Sequence, residues 1–82
     1  MTWEDKIEMV KLLNKGKYEE AVDFFGKEED WDEQALSMFL FCFDLTQCEL
    51  LEPIKERITK VETNDYCTAM RLGLIQAYFD NH

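Results

Sequence analysis

Eight consecutive residues, Leu36-Ser37-Met38-Phe39-Leu40-Phe41-Cys42-Phe43, put apolar side chains on every face of a helix drawn through them. A helix that is hydrophobic all round has to be covered on nearly every side. A chain of 82 residues has room for one domain and one core. The run is therefore predicted to be the central element of an all-α domain spanning residues 1–82. It is too short to span a bilayer, which takes about 20 apolar residues. Six Phe, three Tyr and two Trp are a heavy load for this length. Each ring buries roughly 150–250 Å², so either the core is unusually aromatic or some rings cover a partner.

Five short helices are read around this hub, in stacked antiparallel hairpins or a small orthogonal bundle. The first opens at Thr2, with Asp5 in a capping-box-like position. Its buried stripe is predicted at Trp3, Ile7, Val10 and Leu13, widened by Met9 and Leu12, and Gly16 ends it. The second carries Tyr18, Ala21, Val22 and Phe25 inward and stops at Gly26. Asp30 with Glu33 reads as the cap of the third, with Trp31 just inside and an end near Leu45. Thr46 with Glu49 reads as the cap of the fourth, whose inner face holds Leu50, Leu51, Ile54, Ile58 and Val61. Pro53 lies inside that pattern, removes a backbone donor and clashes with the preceding turn, so a kink or irregular first turn is expected. Thr63-Asn64-Asp65 opens the last helix, which runs to about Phe79. It has few polar residues and a stripe of small ones, Ala69, Gly73 and Ala77, spaced by four. Such a helix is either wedged between two others or docks on another chain.

The segment Leu12-Leu13-Asn14-Lys15-Gly16-Lys17-Tyr18-Glu19-Glu20-Ala21-Val22-Asp23-Phe24-Phe25 resembles the turn and second helix of a tetratricopeptide repeat. Gly16, Tyr18, Ala21 and Phe25 match the turn glycine, the aromatic, the small residue and the apolar residue of that pattern. A fainter copy follows 33 residues later, with Leu45, Leu51, Ile54 and Ile58 in place of Leu12, Tyr18, Ala21 and Phe25; the family period is about 34. Met9 stands where a small residue is expected, Glu33 where a proline closes the repeat, and Glu49 where the turn glycine should recur. The resemblance implies stacked helical hairpins that bind other proteins.

The formal net charge is −9, weighted to the first 33 residues, which hold eleven acids and five bases. Phosphates and anionic lipid repel such a chain, so direct nucleic-acid or membrane-surface binding is not expected, and a basic protein is the natural complement. The acidity also serves solubility by itself. Cys42, Cys48 and Cys67 are odd in number and show no C-x-x-C spacing, and the one His is terminal, which predicts free thiols and no zinc site. Trp3-Glu4-Asp5 is the wrong start for a secretory leader, so a cytoplasmic location is expected. Glu28, Glu29, Asp30, Asp32 and Glu33 form the densest acidic cluster, but no glycine stands where a calcium loop needs one. No nucleophile–base pair or phosphate-binding loop is present, and no cofactor is implied.

Two functions fit these observations. In the first, the chain is a non-enzymatic protein-interaction module or adaptor, with its docking face on the last helix around Tyr66, Met70, Gly73, Leu74, Ala77 and Tyr78. Homodimerisation through that helix is the simplest form. The same residues would otherwise complete the monomer core. In the second, it is a small acidic inhibitor of the phage or mobile-element kind, blocking a basic or nucleic-acid-binding partner through Glu19, Glu20, Asp23, Glu28, Glu29, Asp30 and Asp32.

Overall fold

A computed structural model describes residues 1–82. The chain is all-α: α1 (Trp3–Asn14), α2 (Tyr18–Gly26), α3 (Glu33–Cys42), a 3-10 helix (Leu45–Ile54) that leads into the single turn α4 (Lys55–Ile58), and α5 (Tyr66–Asp80). Gly16, with φ 75°, makes the turn between α1 and α2. Only this residue sits in the left-handed region, where a side chain would be strained.

Side-chain caps set the starts of α1, α3, the 3-10 helix and α5. Thr2 accepts from the Asp5 amide at 3.1 Å, as its spacing predicted. The α3 cap is Asp32, which accepts from the Ala35 amide at 2.8 Å, and not Asp30. Trp31 thus precedes the helix instead of opening it. The helix also ends at Cys42, before Leu45, because Phe43 turns extended (ψ 134°). Asp44 then caps the 3-10 helix through the Thr46 amide and hydroxyl, at 2.9 and 2.7 Å, in place of Thr46 itself. Asp65 caps α5 through the Thr68 amide and hydroxyl, at 2.9 and 2.7 Å. The irregularity expected around Pro53 takes the form of a 3-10 helix through Ile54, with non-helical dihedrals at Gln47. The segment offset by 33 residues from the first hairpin is therefore built differently from it.

The helices form two layers. α1 packs on α2 and α3, α3 packs on α5, and α2 packs on the 3-10 helix. The first layer is α1–α3–α5, the second α2 with the 3-10 helix and α4. Within the first layer the helices run the same way. Thr63, before α5, donates to Glu33 at the start of α3, and Arg71 of α5 donates to the Leu40 carbonyl one helical stretch further on. Lys6 of α1 likewise reaches Asp32 and Gln34 at the start of α3.

The core holds Met9, Leu13, Ala21, Val22, Phe25, Leu36, Phe39, Leu40, Phe43, Leu51, Ile54, Ile58 and Ile75 among its buried side chains. A column of rings runs through it. Tyr18 meets Phe43 edge-on at 5.5 Å, Phe43 stacks on Phe39 at 5.3 Å, and Phe39 on Phe25 and Phe25 on Trp31 at 4.3 Å each. The Arg57 guanidinium closes the column 3.9 Å from the Trp31 ring centre. The hub run is only partly enclosed. Leu36, Phe39, Leu40 and Phe43 are buried, Met38 and Cys42 are half-buried, and Phe41 is exposed. The α1 stripe is likewise rotated from its predicted position. Lys6, Met9 and Leu13 are buried, while Trp3 and Ile7 are exposed. Lys6 takes an inner position because its aliphatic stem packs while its ammonium reaches Gln34 at 2.9 Å and Asp32 at 3.3 Å.

Candidate functional site

Every large apolar side chain that the fold leaves exposed lies on the first layer: Trp3 and Ile7 on α1, Phe41 on α3, and Tyr66, Met70 and Leu74 on α5. None lies on α2, the 3-10 helix or α4. Trp3 and Ile7 are one turn apart on α1, and Lys6 beside them in sequence reaches α3. Phe41, Leu45, Cys67, Met70, Arg71 and Leu74 line a shallow apolar cleft of about 280 Å³ between α3 and α5.

The two faces of α5 explain this arrangement. Thr68, Leu72, Ile75 and Phe79 form the inward stripe, of which Thr68 and Ile75 are buried. Tyr66, Ala69, Met70, Gly73, Leu74 and Ala77 form the outward stripe, and all six are exposed. A Cβ placed on Gly73 would meet nothing within 4 Å. α5 packs on both α3 and the 3-10 helix, but no helix of this chain covers the outward stripe. Of the residues predicted for this face, Tyr66, Met70, Gly73, Leu74 and Ala77 lie together on it. Tyr78 lies on another flank, half-buried, with its ring edge-on to Phe79 and stacked on His82. Phe41, Trp3 and Ile7 belong to the exposed set without having been expected there, because periodicity alone assigned them to the core.

The α3 and α5 stretches of the face carry little charge. Residues 34–43 carry no charged side chain and residues 66–79 carry one, Arg71. Arg71, half-buried at the cleft, donates to the Leu40 carbonyl at 3.2 Å and lies 4.5 Å from the Phe41 ring centre.

The acids lie elsewhere and are not gathered into one surface. Glu19, Glu20 and Asp23 are exposed on α2, where Lys17 approaches Glu20 at 3.9 Å and Lys27 pairs with Asp23 at 3.0 Å. Glu28 lies 3.7 Å from the N-terminal amine. The Glu29 backbone carbonyl accepts from Arg57 at 2.8 Å, and Asp30 is exposed. Asp32 is engaged twice, as the α3 cap and as the partner of Lys6, and its carboxyl is held below the usual carboxylate range, first by the Ala35 amide and then by Lys6. Asp44 and Asp65 are lowered by their own capping bonds. Glu19, Asp23 and Glu49 do share one groove with Val22, Leu50 and Pro53, between α2 and the 3-10 helix.

No group of three or more His, Cys, Asp or Glu side chains is placed to hold a metal ion, and no helix is long and apolar enough to cross a membrane. The three cysteines are free; Cys48 is buried, and burial pushes its thiol pKa up. No protein-family model, curated protein or solved structure matches the chain.

Proposed function

We propose that this chain is a non-enzymatic protein-interaction module that docks through the apolar face of the α1–α3–α5 layer. One observation carries the reading: all six exposed large apolar side chains fall on that layer, and the second layer has none. Phe41, Met70 and Leu74 share one cleft, and exposed apolar surface gathered in this way marks interaction sites. Between Gln34 and Phe43 and between Tyr66 and Phe79 the only charged side chain is Arg71, which gives the face a composition close to that of an interface centre, where charged residues are depleted and aromatics, Met and Arg enriched. The carboxylates of the second layer then serve solubility and the steering of encounter.

Site-resolved photocrosslinking in the native host tests this. A photoreactive residue at Met70 should form discrete protein adducts, and one at Glu20 should form none. Adducts from Glu20 alone would replace the docking reading with the acidic-inhibitor one. That second reading draws on the groove lined by Glu19, Asp23 and Glu49, where three carboxylates face one opening without a basic side chain among its lining residues.

A further inference from the structure

We infer that the occupant of this face is a second copy of the same chain, with α5 crossing α5 antiparallel about a two-fold axis at Gly73. The inference rests on the docking reading above and adds the partner and the register. Three features of α5 point to it.

The outward stripe is complementary to itself. Gly73 is the midpoint of Tyr66–Asp80. The small residues Ala69 and Ala77 stand four positions either side of Gly73, and the large Met70 and Leu74 flank the same row. An antiparallel crossing at Gly73 sets Ala69 of each copy against Ala77 of the other and Gly73 against Gly73. Small residues at the crossing let the two backbones approach closely, and the larger side chains beside the row can then interdigitate. A two-fold axis is also the commonest symmetry of soluble oligomers.

The charge distribution permits self-association through this face and disfavours it through others. Two copies that each carry −9 repel one another. The stretches 34–43 and 66–79, which hold no Asp or Glu, are where two copies can meet without opposing carboxylates. Face-to-face docking turns Glu19, Glu20, Asp23, Glu49 and Glu52, all on the second layer, away from the contact.

The area suffices. Phe41, Tyr66, Met70 and Leu74 are 47%, 79%, 52% and 54% exposed. At about 200 Å² for a large side chain they offer about 460 Å². With Cys67, Ala69, Gly73 and Ala77 added, each copy contributes roughly 600–700 Å², and the pair reaches the roughly 1,200 Å² at which specific interfaces begin. An interface at this lower limit belongs with the weak, reversible class.

Sedimentation equilibrium of the full chain from about 5 to about 500 µM tests the proposal, with circular dichroism confirming the fold of each variant. The mass should rise with concentration toward 19.6 kDa, twice the 9.8 kDa of the single chain. Leu74→Glu should weaken association at least 30-fold with its helical spectrum unchanged. Raising salt from about 20 to about 500 mM should tighten the dimer several-fold, because it screens like charges; an acid–base contact would loosen instead. Gly73→Cys tests the register, since a thiol on the two-fold axis meets its own copy. It should oxidise to a disulfide-linked dimer at least tenfold faster than Glu8→Cys. A wild-type chain that stays monomeric at 500 µM overturns the dimer, as does equal oxidation of the two cysteine variants. If it is monomeric while Met70 still crosslinks to a different protein in the host, the self-partner fails and the docking face stands. If Met70 crosslinks to nothing, both fail.

Discussion

Trp31 should contribute more to stability than its half-buried position suggests, because it joins three parts of the chain. Its ring stacks on Phe25 at 4.3 Å with an 11° tilt. Its indole N–H donates to the Phe25 carbonyl at 2.9 Å, near the end of α2. The Arg57 guanidinium covers its other face and donates to the carbonyls of Gly26 and Glu29 at 3.3 and 2.8 Å. Replacing Trp31 with Ala removes about 100–150 Å² of buried ring, or about 3 kcal/mol at roughly 25 cal/mol per Å². The lost hydrogen bond adds about 1 kcal/mol. A domain of this size has roughly 4–12 kcal/mol in all, so Trp31→Ala should lose a third of it or more. Trp31→Phe keeps a ring on Phe25 but removes the donor and part of the buried ring, and should lose about 1–2 kcal/mol. Arg57→Ala should be coupled to Trp31→Ala by about 1 kcal/mol in a double-mutant cycle. Urea titration followed by circular dichroism gives all these values, with an unchanged slope as the check that the unfolding transition is the same. A loss below about 0.5 kcal/mol for Trp31→Ala, the range of an ordinary surface change, would refute the column as the joint between α2 and α4.

Two glycines make an internal contrast. A Cβ on Gly26 would lie 2.8 Å from Ile54 Cγ2, so Gly26→Ala should destabilise by about 1–3 kcal/mol through overpacking. Gly73 faces open space in the single chain, and Gly73→Ala should stabilise the dilute protein by about 0.5–1 kcal/mol through helix propensity; urea midpoints at low micromolar concentration report both. The capping aspartates set the acid limit. Asp32, Asp44 and Asp65 are held below the ordinary range in the folded state. Their contribution is thus full above the unfolded value near pH 4 and is lost as pH falls through the folded values. The urea midpoint should fall as the pH drops below about 4, with a shallower acid slope in Asp65→Ala, and an unchanged slope would contradict this assignment. Asp32→Ala should lose about 1–2 kcal/mol at pH 7, mainly as a lost cap, because a carboxylate 40% exposed gives Lys6 only a screened partner; Asp32→Asn keeps the cap and should lose less.

Much of the fold was legible from local patterns. The helix-breaking glycines, the Thr2 cap and the inner faces at Tyr18, Ala21, Val22 and Phe25 depend on neighbouring residues, and they stand where spacing put them. Errors arose where two local solutions competed. Asp30 and Asp32 are both competent caps, and the choice went to Asp32, whose carboxylate also meets Lys6 of α1. Asp44 took the place of Thr46 because an aspartate two residues upstream binds both the Thr46 amide and its hydroxyl. On α1 the predicted stripe 3-7-10-13, widened by Met9 and Leu12, and the buried stripe 6-9-13 are both helical and share Met9 and Leu13. The tertiary packing selected the second, with Lys6 tolerated through its long stem, which no periodicity reveals. The exposed stripe of α5 could be read as apolar from the sequence, but not as uncovered. Coverage depends on how many neighbours the chain supplies, and for this face it supplies none.

The central claim is that α5 has one face in the core and one outside it, and adjacent residues decide the matter. Leu74 is 54% exposed and Ile75 is 1% exposed. Urea unfolding of Leu74→Glu and Ile75→Glu at about 2 µM is the direct measurement. The account predicts a change within about 0.5 kcal/mol for Leu74→Glu and a loss of at least about 3 kcal/mol, or no folded protein, for Ile75→Glu. Equal losses, or a larger one at Leu74, would mean that the stripe completes the core of the single chain and is not a docking face.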